Sequence, residues 1–261
     1  MTEGEDIDGK IILVSETGAD IPPELAQQYG IHTVPMHVSF GDVMRDDGAF
    51  PSDEICAYYE QTKALPKTSA STPEDFRIVF DRIHTQWPEA KILYLAYSAV
   101  TTSTFQSAQI AAEGRDYVTS LDTKQVSAGE YAILIRIAQL LEQHPEWEIA
   151  QVVAAAEDLI DRAKMCFIPD KLEYLRAGGR LSRLAPQLVQ DYAAQYDLER
   201  DEVWLVWSPG FPEELREPVE RSARSCGFRK ITWVKTGGVI TTHGGPSAFG
   251  VIGFSAKEDQ K

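Results

Sequence analysis

From Lys10 to about residue 145 the chain alternates short apolar runs with amphipathic segments, and that alternation leaves few folds open to it. Lys10-Ile-Ile-Leu-Val-Ser15 and Lys91-Ile-Leu-Tyr-Leu-Ala-Tyr97 are continuous apolar runs of strand length. Runs of this kind read as strands of a parallel sheet buried on both faces. Tyr117-Val-Thr-Ser-Leu121 is a shorter one. Helical patterns lie between them. Ile21–Tyr29 has Asp20 as its cap and Gly30 as its stop. Asp53–Gln61 follows, and in Pro73–Gln86 the residues Phe76, Val79, Phe80 and Ile83 share one face. Thr102–Glu113 and Ala128–Glu142 complete the series. His32–Phe40 reads as one strand, at an edge because it contains Pro35, and Leu65–Pro73 as a polar loop. The order predicts a mostly parallel sheet with helices on both faces, a three-layer α/β domain.

The remainder has a different rhythm. A helix over Trp147–Ala163 precedes a short strand, Met165–Ile168, and one or two helical turns over 171–176. Strands at Val203–Trp207, Lys230–Val234 and Gly250–Phe254 surround a helix at Pro212–Cys226. This predicts a smaller, mixed-sheet α/β domain. The expected division is 10–160 and 161–261, after an acidic tail, 1–9.

Composition narrows the function classes. The 261 residues carry 25 Lys+Arg against 40 Asp+Glu, a formal charge of −15. Nucleic acid and anionic membrane both need a basic footprint, so neither is expected as the main partner. No run approaches the ~18 apolar residues of a membrane-spanning helix, so no stable membrane insertion is expected. The start of the chain is acidic and lacks the basic and apolar regions of a secretory signal, which makes the cytoplasm the expected location. Cys56, Cys166 and Cys226 are odd in number and widely spaced, which argues against a disulfide framework or a structural zinc. The acidity is uneven. Residues 190–220 hold nine acids against two bases, whereas 161–183 hold six bases against three acids.

Three hydroxyl clusters could carry chemistry. Lys67-Thr-Ser-Ala-Ser-Thr72 is the first. Ser98 to Thr104 is the second, just past a strand's carboxyl end, where open α/β sheets bind ligands. Thr241-Thr-His-Gly-Gly-Pro-Ser247 is the third, its His-Gly-Gly reading as a turn. Hydroxyls, a helix N-terminus and a histidine together suit a carboxylate or a phosphate. A Ser98–His243–Asp122 triad is the competing reading, although the strained G-x-S-x-G elbow is absent. No G-x-G-x-x-G or P-loop is present, so no cofactor is expected. His32, His37, His84 and His144 lack metal spacing, so structural or surface roles are favoured and no metal is expected. Asp46-Asp47 reads as turn chemistry before Gly48.

These residues also resemble a family, the DegV-like fatty-acid-binding proteins. Glu16-Thr-Gly-Ala-Asp-Ile-Pro22 is similar to its opening D-S-x-x-D-L-P turn, and Pro66–Pro73 to its P-K-T-S-Q-P-S-P loop. Ser98–Ala108 resembles S-S-x-L-S-G-T-Y-Q-S-A, and Asp122–Gly129 resembles D-S-K-x-x-S-x-G. Leu172–Ser182 is close to L-E-Y-L-x-x-G-G-R-I-S, and His243–Ala248 is similar to H-x-G-P-G-A. The resemblance implies a two-domain DegV-like fold with a long-chain fatty acid between the domains. By resemblance, Thr68, Ser69, Ser98, Thr101, His243 and Gly244 hold the carboxylate. It further implies a protein without catalysis of its own, which offers the bound carboxylate to a partner fatty-acid kinase. Arg176, Arg180 and Arg183 are then where the kinase or its phosphates approach.

The chain also departs from the pattern. Glu16 and Thr17 replace the opening Asp and Ser, Ala70 replaces Gln, and Ala99 removes a hydroxyl. Thr101 stands for Leu, Ser103 for Gly and Ser247 for the last Gly. After Ser182 the family continues toward an apolar strand and a basic segment, whereas here the region is shortened and acidic. The alternatives are a Ser/His hydrolase or transferase, or a diverged, ligand-free interaction protein.

Overall fold

The computed structural model describes residues 10–168 and 181–257. In chain order the first elements are β1 (Ile11–Glu16), α1 (Pro23–Tyr29), β2 (His32–Val34), β3 (His37–Phe40), β4 (Val43–Asp46), α2 (Asp53–Thr62) and β5 (Lys67–Ser69). Next come α3 (Pro73–Gln86), β6 (Lys91–Ala96), α4 (Thr104–Ala112), β7 (Val118–Asp122), α5 (Ser127–Gln143) and α6 (Ile149–Arg162). The last are β8 (Ala163–Ile168), α7 (Leu181–Gln195), β9 (Glu202–Trp207), α8 (Arg216–Ser225), β10 (Lys230–Lys235), α9 (Gly238–Gly244) and β11 (Phe249–Phe254).

The apolar runs form a parallel sheet in the order β2-β1-β6-β7. Alternate residues serve opposite faces, as pleating requires. Ile12, Val14, Ile92 and Tyr94 pack under α3 and α4, against Phe76, Phe80 and Ala108. Leu13, Leu93 and Leu95 face the other way, toward Ile133 and Ile137 of α5. The expected three layers follow. The strand order reverses between β1 and β6, which makes their carboxyl ends the switch point where such sheets bind ligands.

The C-terminal part forms a mixed sheet in the order β10-β9-β11-β8. In it β9 and β10 run parallel, and β11 is antiparallel to both β9 and β8. Helices α7 and α8 cover its outer face, on Leu205, Phe249 and Val251. Its inner face, Trp204, Val206, Ile252 and Phe254, joins the same apolar cluster as Leu13 and Leu93. Helix α5 lies between, packed on β1 and β6 and also on β8, β9 and β11. That double contact explains a sequence buried on nearly every side from Ser127 to Ala138, with only Arg136 half-buried.

Several expectations change. The single strand over 32–40 is two: β2 joins the parallel sheet, and β3 starts a small antiparallel sheet, β4-β3-β5. The break falls at Pro35-Met36, where the Pro35 carbonyl accepts from the Ser71 hydroxyl and the Met36 N–H donates to Thr17 Oγ1. The loop 65–73 contributes β5. The helix expected from Pro212 begins as a 3-10 turn, Glu213–Leu215, before α8. The segment after Ser182 is helical, as α7. The turns expected over 171–176 and the tail 1–9 lie outside the described residues. Among the described residues no helix is long and apolar enough to cross a membrane.

Candidate functional site

A cavity of about 380 Å³ opens beside the switch point. Three separate segments build its polar wall. β5 enters by pairing antiparallel to β3, Thr68 opposite Val38. The hydroxyl-rich turn leaves β6 at Tyr97 and is folded on itself, with Thr101 N–H and Oγ1 both donating to the Ser98 carbonyl. Helix α9 brings in His243 in its last turn. Thr68 Oγ1 and His243 Nε2 lie 2.8 Å apart although 175 residues separate them in the chain.

Four of the six residues expected at the carboxylate line this cavity: Thr68, Ser69, Thr101 and His243. Thr102 and Ser103 line it too. Ser98 and Gly244 are not among its lining residues. Ser98 is buried, and its N–H donates to the Gln125 carbonyl, so it shapes the turn. Gly244 ends α9 against β8, where a Cβ would lie 2.4 Å from Phe167 Cε1. Arg183 is exposed in the first turn of α7, while Arg176 and Arg180 lie outside the described residues. His243, Ser69 and Thr101 are exposed at the rim, whereas Met36, Tyr97 and Val239 at the base are buried. The base continues into an apolar cluster with Phe50, Ile55 and Ile240. The cavity therefore has a wet polar mouth and an apolar base, which suits an amphiphile with its head outward.

The triad does not assemble. Asp122 Oδ1 accepts from the N–H groups of Ala99 and Lys124, and His243 is bonded to Thr68. The other histidines are structural. His37 bridges Asp46 and Asp75, His32 meets the Trp87 ring edge-on, and His84 and His144 stack on Tyr117 and Trp147. No cluster of His, Cys, Asp and Glu able to hold a metal occurs among the described residues.

Behind the polar wall lie four buried acids. Glu16 accepts from the Tyr94 hydroxyl and, at 3.2 Å, from the Tyr97 N–H, and Glu130 accepts from the Ser15 hydroxyl. Burial lifts Glu16 from 4.5 to about 7, against the pull of those hydrogen bonds. Burial and then the charge of Glu16 push Glu130 well above the usual carboxylate range. Asp20 and Asp47 are also raised by burial. Asp20 does not cap α1, whose N-cap is Pro22, and it reaches across the molecule instead. Its partners are remote in sequence, and no local pattern signals them.

Comparison with known proteins gives a consistent picture. The sequence pattern of a family described as "Uncharacterised protein, DegV family" matches residues 10–190. A DegV domain-containing protein of Deinococcus radiodurans is 26% identical over 281 residues, covering 92% of this chain and 97% of that protein. One from Caldanaerobacter subterraneus is 25% identical over 177 residues, 67% of this chain, and the match spans only 61% of the relative's length. Among solved structures, a DegV family protein from Thermus thermophilus, described for its fatty acid binding, superposes with a TM-score of 0.81 at 24% identity. That match covers 95% of this chain and all of the other. The Streptococcus pneumoniae Fatty Acid Kinase (Fak) B3 protein, loaded with linoleic acid, gives 0.78 at 13% identity, over 95% of this chain and all of that one.

Proposed function

Because this chain belongs to the DegV family, whose pattern it carries over residues 10–190, we propose that it binds a long-chain fatty acid. In this reading the carboxylate sits at the polar mouth, and the acyl tail enters the apolar base at Met36, Tyr97 and Val239, toward Phe50, Ile55 and Ile240. The observation that carries the reading is the Thr68–His243 pair, 2.8 Å apart at the rim of a cavity whose base is apolar. Thr68, Ser69 and Thr101 offer hydroxyl donors and His243 an imidazole. Each buried CH₂ contributes about 0.8 kcal/mol, so the tail dominates affinity. The headgroup's hydrogen bonds contribute about 1.5–3 kcal/mol each and fix orientation. Ser98 and Gly244 act at one remove, by shaping the turn and by seating α9. The division into units 10–160 and 161–261 belongs to the same reading, with the tail lying at their junction, as does a cytoplasmic location.

The protein performs no chemistry of its own here. With the polar mouth exposed, the bound carboxylate is offered to a partner fatty-acid kinase, for which the basic residues Arg176, Arg180 and Arg183 are the candidate contacts. The hydrolase alternative is disfavoured by the occupied hydrogen bonds of Asp122 and His243. Native mass spectrometry with lipid extraction tests the first step: a stoichiometric long-chain acid is expected in the purified protein. Failure to find one, and failure to take one up on titration, would overturn the reading. For the second step, a fatty-acid kinase, ATP and the loaded protein should give an acyl phosphate that hydroxylamine traps as a hydroxamate.

A further inference from the structure

Helix α9 places His243, but nothing in its own sequence fixes its start. It opens on Gly237-Gly238 with no Ser, Thr, Asp or Asn as N-cap, which leaves its first N–H groups without a local acceptor. At seven residues it is too short to hold together alone, so tertiary anchors decide where it lies. Two carboxyls from the first fifth of the chain supply them. Asp20, just past β1, accepts from the Gly237 N–H at 2.6 Å, and Asp47, just past β4, accepts from the Gly238 N–H at 2.8 Å. Both side chains are buried, and Asp20 also receives the Ser127 hydroxyl at the start of α5. The approach is close. A Cβ on Gly238 would lie 2.7 Å from Phe50 Cζ and 2.9 Å from Asp47 Oδ1, and one on Gly237 would lie 3.0 Å from Asp20 Oδ1. A side chain at Gly237 would crowd Asp20, and one at Gly238 would crowd both Asp47 and the Phe50 ring.

We propose that Asp20 and Asp47 are positioning residues for the headgroup site: by holding the first turn of α9 they set where His243 meets Thr68, and so favour a carboxylate head over an uncharged one. The inference rests on the fatty-acid reading above. Burial raises both carboxyls, Asp20 the more, and the charge of Asp47 adds to the rise at Asp20. Each Gly N–H needs an acceptor oxygen, which a side-chain amide supplies as a carboxyl does.

The test compares D47A, which deletes the acceptor, with D47N, which keeps one. Two readouts are followed: the NMR signals of the His243 ring, and the affinities for hexadecanoate and hexadecanol. D47A is expected to shift the His243 signals and to weaken hexadecanoate about five- to tenfold, as loss of a helix cap would. Hexadecanol should weaken by less than about twofold, and D47N should recover most of the difference. Wild-type His243 signals in a folded D47A, or an equal loss for both ligands, would overturn the proposal. Should D47A fail to fold, G238A displaces the helix from its own side and answers the same question. If the wild-type protein binds neither ligand, the fatty-acid reading fails, and the His243 signals alone then decide the positioning role.

Discussion

At the scale of single residues, the site is a set of long-range pairs. Thr68 and His243 are 175 residues apart, and Asp47 and Gly238 are 191 apart. Replacing His243 by Ala, or Thr68 by Val, should weaken a long-chain acid about tenfold or more, the size of a hydrogen bond to a charged group. Isothermal titration with acid and alcohol of equal length checks it, since the alcohol should respond far less. The Glu16–Glu130 pair makes a second, independent prediction. Glu16 rises from 4.5 unfolded to about 7 folded, so the fold holds its proton more tightly than the open chain does. The stability this provides is present below pH 4.5 and is lost as pH climbs through about 7. The groups facing the pair are Ser15, Tyr94, Tyr97 and Asp20, and Asp20 adds to the rise at Glu130. Wild-type melting temperature should therefore fall between pH 5 and pH 8, and E130Q should flatten that fall. Parallel curves for the two proteins would refute the assignment. His243 and the Thr-Ser cluster stand out in the sequence as candidates because hydroxyls and a histidine together suit an anion. Asp20 has the place of a helix cap in the sequence, but its N–H partner lies 217 residues away.

At the scale of elements, an apolar run or a helical stripe marks its strand or helix wherever one residue pattern serves one partner. β1, β6 and α3 are such cases, with boundaries within a residue or so of expectation. Elements without such a pattern depend on partners remote in the chain. β5 is three residues of Lys-Thr-Ser whose strand character comes from pairing with β3, and α9 is glycine-flanked and anchored by remote acids. Neither has a periodicity of its own to announce it. Helix α9 is also fixed at its far end, where Gly244 meets Phe167. G244A should destabilise by about 1–3 kcal/mol, the usual range for overpacking, and should weaken ligand binding at the same time. Adding F167A should restore part of both, and a double-mutant cycle by urea unfolding and titration measures the coupling.

At the scale of the whole molecule, the two sheets share one apolar cluster through α5. Trp204 stands on β9 of the mixed sheet, yet it is fully buried in the cluster that holds Leu13 and Leu93 of the parallel sheet. W204A should cost about 3–5 kcal/mol and lower the melting temperature by roughly 10 °C, with both sheets lost in one transition. Two separated transitions by calorimetry would show that the shared core does not couple them. The strand–helix alternation, the three-layer parallel sheet and the hydroxyl-and-imidazole character of the candidate site follow from the sequence, because burial and hydroxyl chemistry are written in local residue type. That β5 and α9 exist, that α5 is shared by two sheets, and that Asp20 and Asp47 reach α9 come from the way the folded chain packs. Those features depend on which surfaces meet, and a carboxyl in the first fifth of a chain holds no local record of the amide it will accept from near the other end.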